Sequence, residues 1–205
     1  MVVFYTGNEG KVKELRLLFS QSGIDIVSAN AIGIDTGIPE TGLTFVENAL
    51  IKARHGALQA QQGCIADDSG LLVDALSGQP GVKSARFSGE KATHTENLSH
   101  LLNCLVDVET AERTATFICC LVFLRHADDP CPLIAFGSLS GLIAKKPTGT
   151  RGFGYDPVFY LPTHNKTLAE LSAVEKNTIS HRALASHELL RQFSLRRADD
   201  TGYDL

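Results

Sequence analysis

Two carboxylates stand side by side at Asp67 and Asp68, followed at once by Ser69 and Gly70. Cys64-Ile65-Ala66 leads in and Leu71-Leu72-Val73 leads out, and both stretches are apolar enough to be buried extended chain. Acids in such chain are costly to desolvate unless something cationic pairs with them. Mg²⁺ with phosphate oxygens is one solution, because it takes hard oxygen ligands and brings its own charge. An ordinary acidic turn that breaks the strand is the other, Asp and Ser being common turn residues.

Two further stretches suggest anion chemistry. Val2–Tyr5 reads as a strand, ends in Thr6-Gly7-Asn8-Glu9-Gly10-Lys11, and gives way to helical spacing at Val12, Leu15, Leu18 and Phe19. A strand, a glycine-bearing turn and a helix together aim backbone N–H groups at an anion. The spacing matches neither a Walker A loop nor the dinucleotide fingerprint. Lys11 nevertheless sits in a first helical turn, where the dipole disfavours a cation unless an anion shares the site. His181 and Arg182 are placed the same way in a last helix expected from about Thr178, with Ala185, Leu189 and Phe193 four apart.

The elements that must hold these groups follow from the spacing. Residues 24–27 form a second strand, and 34–42 a loop by its Gly and Pro content. Thr44 and Glu47 have capping-box spacing and open a helix to about Gln62, which makes Glu47 structural. Glu40, on the preceding loop, has no such role and is available to a metal. Phe45, Ala49, Ala53 and Ala57 give that helix a narrow stripe for close packing on a sheet. Thr93 and Glu96 open another helix, and residues 114–124 and 133–143 form a long hairpin turned at Asp128-Asp129-Pro130. Glu14, Arg16 and His55 read as solvated helix faces.

The 205 residues are expected to make a single domain, with a polar, frayed tail after about residue 196. A net charge of −4 argues against binding nucleic acid through bulk electrostatics. The longest apolar run, residues 117–124, is far too short for a membrane span. Strand-like chain directly after Met1 leads us to expect no leader. Five cysteines without a CxxC pair point to a reducing compartment, the cytoplasm.

Taken together, Thr6-Gly7-Asn8-x-x-Lys11, Glu40-Thr41-Gly42-x-Thr44-Phe45-x-Glu47-Asn48-Ala49, Ala66-Asp67-Asp68-Ser69-Gly70, Phe153-Gly154-Tyr155-Asp156-Pro157 and Lys176-x-x-Ile179-Ser180-His181-Arg182 occur in one order and register. The chain resembles the inosine-triphosphate pyrophosphatase family from Tyr5 to about Leu190. That resemblance implies an α/β fold with a long curved mixed sheet flanked by helices, in two lobes with a central substrate cleft. It implies a homodimer, a Mg²⁺ requirement, and hydrolysis of ITP, dITP and XTP to monophosphate and pyrophosphate. Carried over by position, Asp68 is the proton acceptor and a metal ligand, with Glu40 as second ligand. Thr6, Gly7, Asn8, Glu9, Gly10 and Lys11 hold the triphosphate. Ser69, Phe153, Gly154, Tyr155, Asp156, Lys176, His181 and Arg182 contact the substrate.

The physical requirements agree. A triphosphate carries about four negative charges, and its hydrolysis is mainly charge stabilisation and positioning. Asp67, Asp68 and Glu40 could hold a metal, with Asp67 equally able to bond only backbone. Lys176, His181 and Arg182 offer donors to a 6-keto purine, Arg and Lys having no acceptor. Tyr155 and Phe153 have plain core roles as their alternative. A non-hydrolysing nucleotide binder and a pyrimidine-directed phosphohydrolase of related fold are the competing functions, and the paired acids and the His181-Arg182 pair weigh against them respectively.

Overall fold

The structure is a computed structural model that describes the backbone of residues 1–201 and side chains through Arg196. The expected frayed tail after residue 196 falls outside these described side chains. The elements run β1 (Val2–Tyr5), α1 (Glu9–Phe19), β2 (Ile26–Ser28), α2 (Phe45–Ala60), β3 (Cys64–Val73), β4 (Pro80–Gly81), α3 (His94–Cys104), β5 (Thr114–Leu124), β6 (Leu133–Ile143), β7 (Phe159–Leu161), β8 (Lys166–Thr167), α4 (Ala173–Ile179) and α5 (His181–Thr201). The sheet is mixed, in the order β2-β1-β3-β5-β6-β7-β8, with β4 on β3.

Helix starts follow their caps. Asn8 opens α1 by accepting from the amides of Gly10 and Lys11. Thr44 with Glu47, and Thr93 with Glu96, close full capping boxes on α2 and α3, so Glu47 is structural as expected. A third box, Ser172 with Glu175, opens α4. Ser180 is extended, with φ −67° and ψ 152°. The last helix therefore begins at His181 and not near Thr178; its apolar stripe reports phase but not the starting residue.

The chain forms two compact units, one of residues 1–68, 119–137 and 182 onward, the other of 69–118 and 138–181. In the first, β1 lies parallel to both β2 and β3, with Tyr5 opposite Ala66. One sheet face packs Phe4, Ile65, Cys119 and Leu121 against Val12 and Leu15 of α1 and Ala185 and Leu189 of α5. The other packs Val3, Tyr5, Ala66 and Cys120 against the alanine stripe of α2. That stripe is small because the approach is close: a Cβ on Gly56 would lie 2.5 Å from Cys64 Sγ. In the second unit Leu98, Leu101 and Leu105 of α3 bury against Leu71, Phe117, Phe159 and Leu161. Each such leucine contributes roughly 1.5–3 kcal/mol.

One expectation fails here. β3 continues without a break through Asp67-Asp68-Ser69-Gly70. No turn is required, because each acid meets cations on the face it points to.

Candidate active site

Side chains alternate along an unbroken strand, so neighbouring residues point to opposite sheet faces. Asp67 shares a face with Ile65 and looks toward α1 and α5; Asp68 shares the other with Ala66 and looks toward α2. The two adjacent acids therefore do not form one metal-binding pair.

Asp68 belongs to a group built by α2 and the loop before it. Its Oδ1 accepts from Lys52 Nζ at 2.8 Å, and its Oδ2 from Asn48 Nδ2 at 3.4 Å. The same ammonium donates to Glu40 Oε1 at 2.7 Å. Glu40 is thus engaged by Lys52, where the sequence suggested a carboxylate with no protein role. Burial pushes the Asp68 carboxyl above its ordinary range; Lys52 opposes that and Glu40's charge adds to it. Burial disfavours the Lys52 ammonium, but Asp68 and Glu40 outweigh it and raise its pKa.

On the opposite face, Asp67 Oδ1 accepts from Lys11 Nζ, and Oδ2 from Arg182 Nε at 3.1 Å and Cys119 Sγ at 3.3 Å. Burial alone would raise its pKa, yet Lys11, Arg182 and Lys52 hold it well below the usual carboxylate range. Arg182, 2% exposed, also donates to Glu14 Oε2 at 2.5 Å, so Glu14 is no solvated face. His55 packs edge-on to Tyr5, and Arg16 bonds the Ile26 carbonyl.

The turn before α1 is less open than its glycines suggest. Thr6 Oγ1 accepts from the Asn8 amide at 3.2 Å, and Asn8 Oδ1 from those of Gly10 and Lys11 at 2.9 and 3.2 Å. Of the amides at residues 7–10 expected to face an anion, those of Asn8 and Gly10 are thereby engaged within the turn. Gly7 and Glu9 remain exposed, and the Lys11 side chain is 16% exposed.

In the second unit the sequence-predicted residues divide. Asp156 Oδ2 accepts from the Phe153 amide at 3.0 Å and from Lys176 Nζ at 2.8 Å. Gly152 is required beside it: φ is +77°, and a Cβ there would come within 2.0 Å of that oxygen. The fold thereby presents a partly exposed Phe153 with Lys176 Nζ 5.2 Å from its ring centre. Gly154 follows with φ +63°. His181 is buried and stacks on Phe117 with ring centres 4.7 Å apart. Tyr155 goes to the core: it is 5% exposed, and its hydroxyl donates to the Ser84 carbonyl at 2.8 Å. Ser69, partly exposed on β3, belongs to this unit.

Lys52, Asn48 and Glu14 were missed as site residues. A signal for the first two existed, since they lie four apart beside the Ala49 and Ala53 stripe. Glu14 carries no such signal, because its partner is 168 residues away.

The Ham1 family profile matches residues 2–192. The chain belongs to the Ham1 family. Among curated Ham1 relatives, the dITP/XTP pyrophosphatase of Shigella flexneri is 55% identical over 189 residues, covering 92% of this chain and 95% of that protein. Its counterpart from Escherichia coli K12 is 54% identical with the same coverage. Among solved structures, a Ham1 protein from Coxiella burnetii has a TM-score of 0.86 at 41% identity, covering 95% of this chain and 98% of its own. A Staphylococcus aureus Ham1 protein has a TM-score of 0.81 at 37% identity, with the same coverage.

Proposed function

We propose that this chain is a Mg²⁺-dependent pyrophosphohydrolase that cleaves dITP, ITP and XTP to monophosphate and pyrophosphate. The observation that carries the reading is the buried Asp68, its affinity for a proton raised, beside Glu40, in a chain 55% identical to a protein named for that activity. Asp68 takes the proton of the attacking water, a role suited to a carboxylate whose pKa has moved toward neutrality. Lys11 and the exposed turn at Gly7 meet the phosphate charge.

Among the described residues no group of three or more His, Cys, Asp or Glu side chains is arranged for a metal. Asp68 and Glu40 still fit Mg²⁺, which is usually held by one or two carboxylates with substrate phosphates and water completing its shell. Both already converge on one cation, the Lys52 ammonium. Held by these two carboxylates, Mg²⁺ would supply charge neutralisation to the reacting phosphates.

Phe153 offers a face for the base, while Lys176 and His181 in the same unit supply donors that match a 6-keto oxygen. Adenine's 6-amino group would leave such donors unpaired, costing about 1–3 kcal/mol each. ATP is therefore a poor substrate. No helix among the described residues is long and apolar enough to cross a membrane. The five cysteines include no CxxC pair, which supports a reducing compartment, and a homodimer belongs to the same reading. Incubation with ITP, dITP, XTP and dTTP in Mg²⁺, followed by identification of the phosphate species, tests it. Pyrophosphate as the first product is expected; orthophosphate and diphosphate, or a preference for dTTP, would overturn it.

A further inference from the structure

Asp67, fully buried on the face opposite Asp68, has no part in the chemistry just described. Its surroundings form a circuit of three ion pairs along which the charges alternate. Lys11 pairs with one oxygen of Asp67, Arg182 with the other, and Glu14 with Arg182; Glu14 lies three residues along α1 from Lys11. Two cations and two carboxylates thus tie α1, β3 and α5 together. Access is uneven around this circuit: side-chain exposure is 16% for Lys11 and 18% for Glu14, but 2% for Arg182 and 0% for Asp67. A ligand can reach the Lys11 ammonium but not the carboxylate behind it. A circuit of this kind is a weak source of stability, because well-packed apolar residues of similar volume do as well or better. What apolar residues cannot do is hold an ammonium at one place for an incoming anion.

We propose that Asp67 is a positioning residue of the reaction, acting through Lys11 and Arg182 and touching neither substrate nor metal. It divides labour with its neighbour in sequence. Asp68 serves the reacting centre from one sheet face, and Asp67 sets the aim of the cation that meets the phosphates from the other. The inference rests on the proposed function for its substrate, a triphosphate.

A double-mutant cycle with Lys11→Met tests it, read as kcat/KM on ITP and checked for folding by thermal denaturation. Asp67→Asn alone is expected to lower kcat/KM by ~10²-fold, the scale of a 1 Å misplacement. In the Lys11→Met background the same change should cost less than about tenfold, since the group Asp67 aims is gone. Losses that multiply in full would show that Asp67 acts on the ligand directly, and would overturn the proposal. Asp67→Glu keeps the charge, and with it the fold, but moves the carboxylate by one methylene. It should still fold, at a melting temperature lowered by the added methylene in a closed site, and lose roughly tenfold in kcat/KM. Wild-type turnover with Asp67→Glu would reduce Asp67 to a counter-charge, and that variant decides alone if Asp67→Asn does not fold. Products of the wild type on ITP check the proposed function separately. If ITP is not cleaved, the cycle is run on whichever triphosphate is.

Discussion

Replacing Lys52 with Met removes the ammonium that Glu40 and Asp68 share, while keeping most of the side chain's volume. At 2.7 and 2.8 Å, each ion pair has a gross attraction of about 6 kcal/mol at an effective dielectric of 20. Desolvation of the three groups offsets most of that. Breaking a buried pair from one side nonetheless costs about 3–5 kcal/mol, because the partner charge stays buried. Asp68 cannot turn to water, its side chain being 7% exposed; Glu40, at 25%, can. The lower end, ~3 kcal/mol, is therefore expected. For a chain of this size that lowers the melting temperature by roughly 6–12 °C. The pH dependence has a definite sign. Lys52 has a raised pKa in the folded state, so its contribution is complete below the unfolded value near 10.4 and is lost as pH rises through the higher folded value. The gap between wild type and variant should persist from neutral pH to about pH 10 and close above it. Calorimetric melts at pH 7, 9 and 11 measure this. A melting temperature within about 2 °C of wild type at pH 7 would refute the reasoning, because the two carboxylates would then not depend on Lys52.

Asp68→Asn should lower kcat by roughly 10²-fold or more in a protein that still folds; near-normal turnover at saturating Mg²⁺ would assign the proton to another group. Arg182→Ala should reduce kcat/KM for ITP, GTP and ATP by similar factors, since it strips Asp67 and Glu14 of a shared cation, whereas a loss selective for ITP would show Arg182 reading the base. Thiol titration of the native protein at pH 8 should find the exposed Cys104 and Cys131 but not Cys64 or Cys120, whose thiols burial pushes up to about 12. Asp129, held well below its usual range by Arg125, contributes stability that is complete above pH ~4 and fades as pH falls through its lower folded value. The destabilisation caused by Asp129→Asn, read by urea melts, should accordingly shrink between pH 4 and 2.

Much of this protein was legible in its sequence because the deciding interactions are local. Capping at Thr44 and Thr93 involves residues three apart, and the hairpin strands at 114–124 and 133–143 are uncharged, β-prone stretches with polar chain between them. The five motifs, in order, likewise pointed to the family that the Ham1 match establishes. What remained hidden was set by partners distant in sequence. Asp67 and Asp68 looked like one pair, with a break in the strand, because adjacency in sequence carries no information about face. Only the continuous pairing of β3 sends them apart, Asp67 to Lys11 and Arg182, which lie 56 and 115 residues away, and Asp68 to Lys52. Those cations offset enough of the desolvation cost that no turn is forced, wholly at Asp67 and in part at Asp68. A strand's alternation is local physics, but which charge waits on each side is decided by the helices packed there.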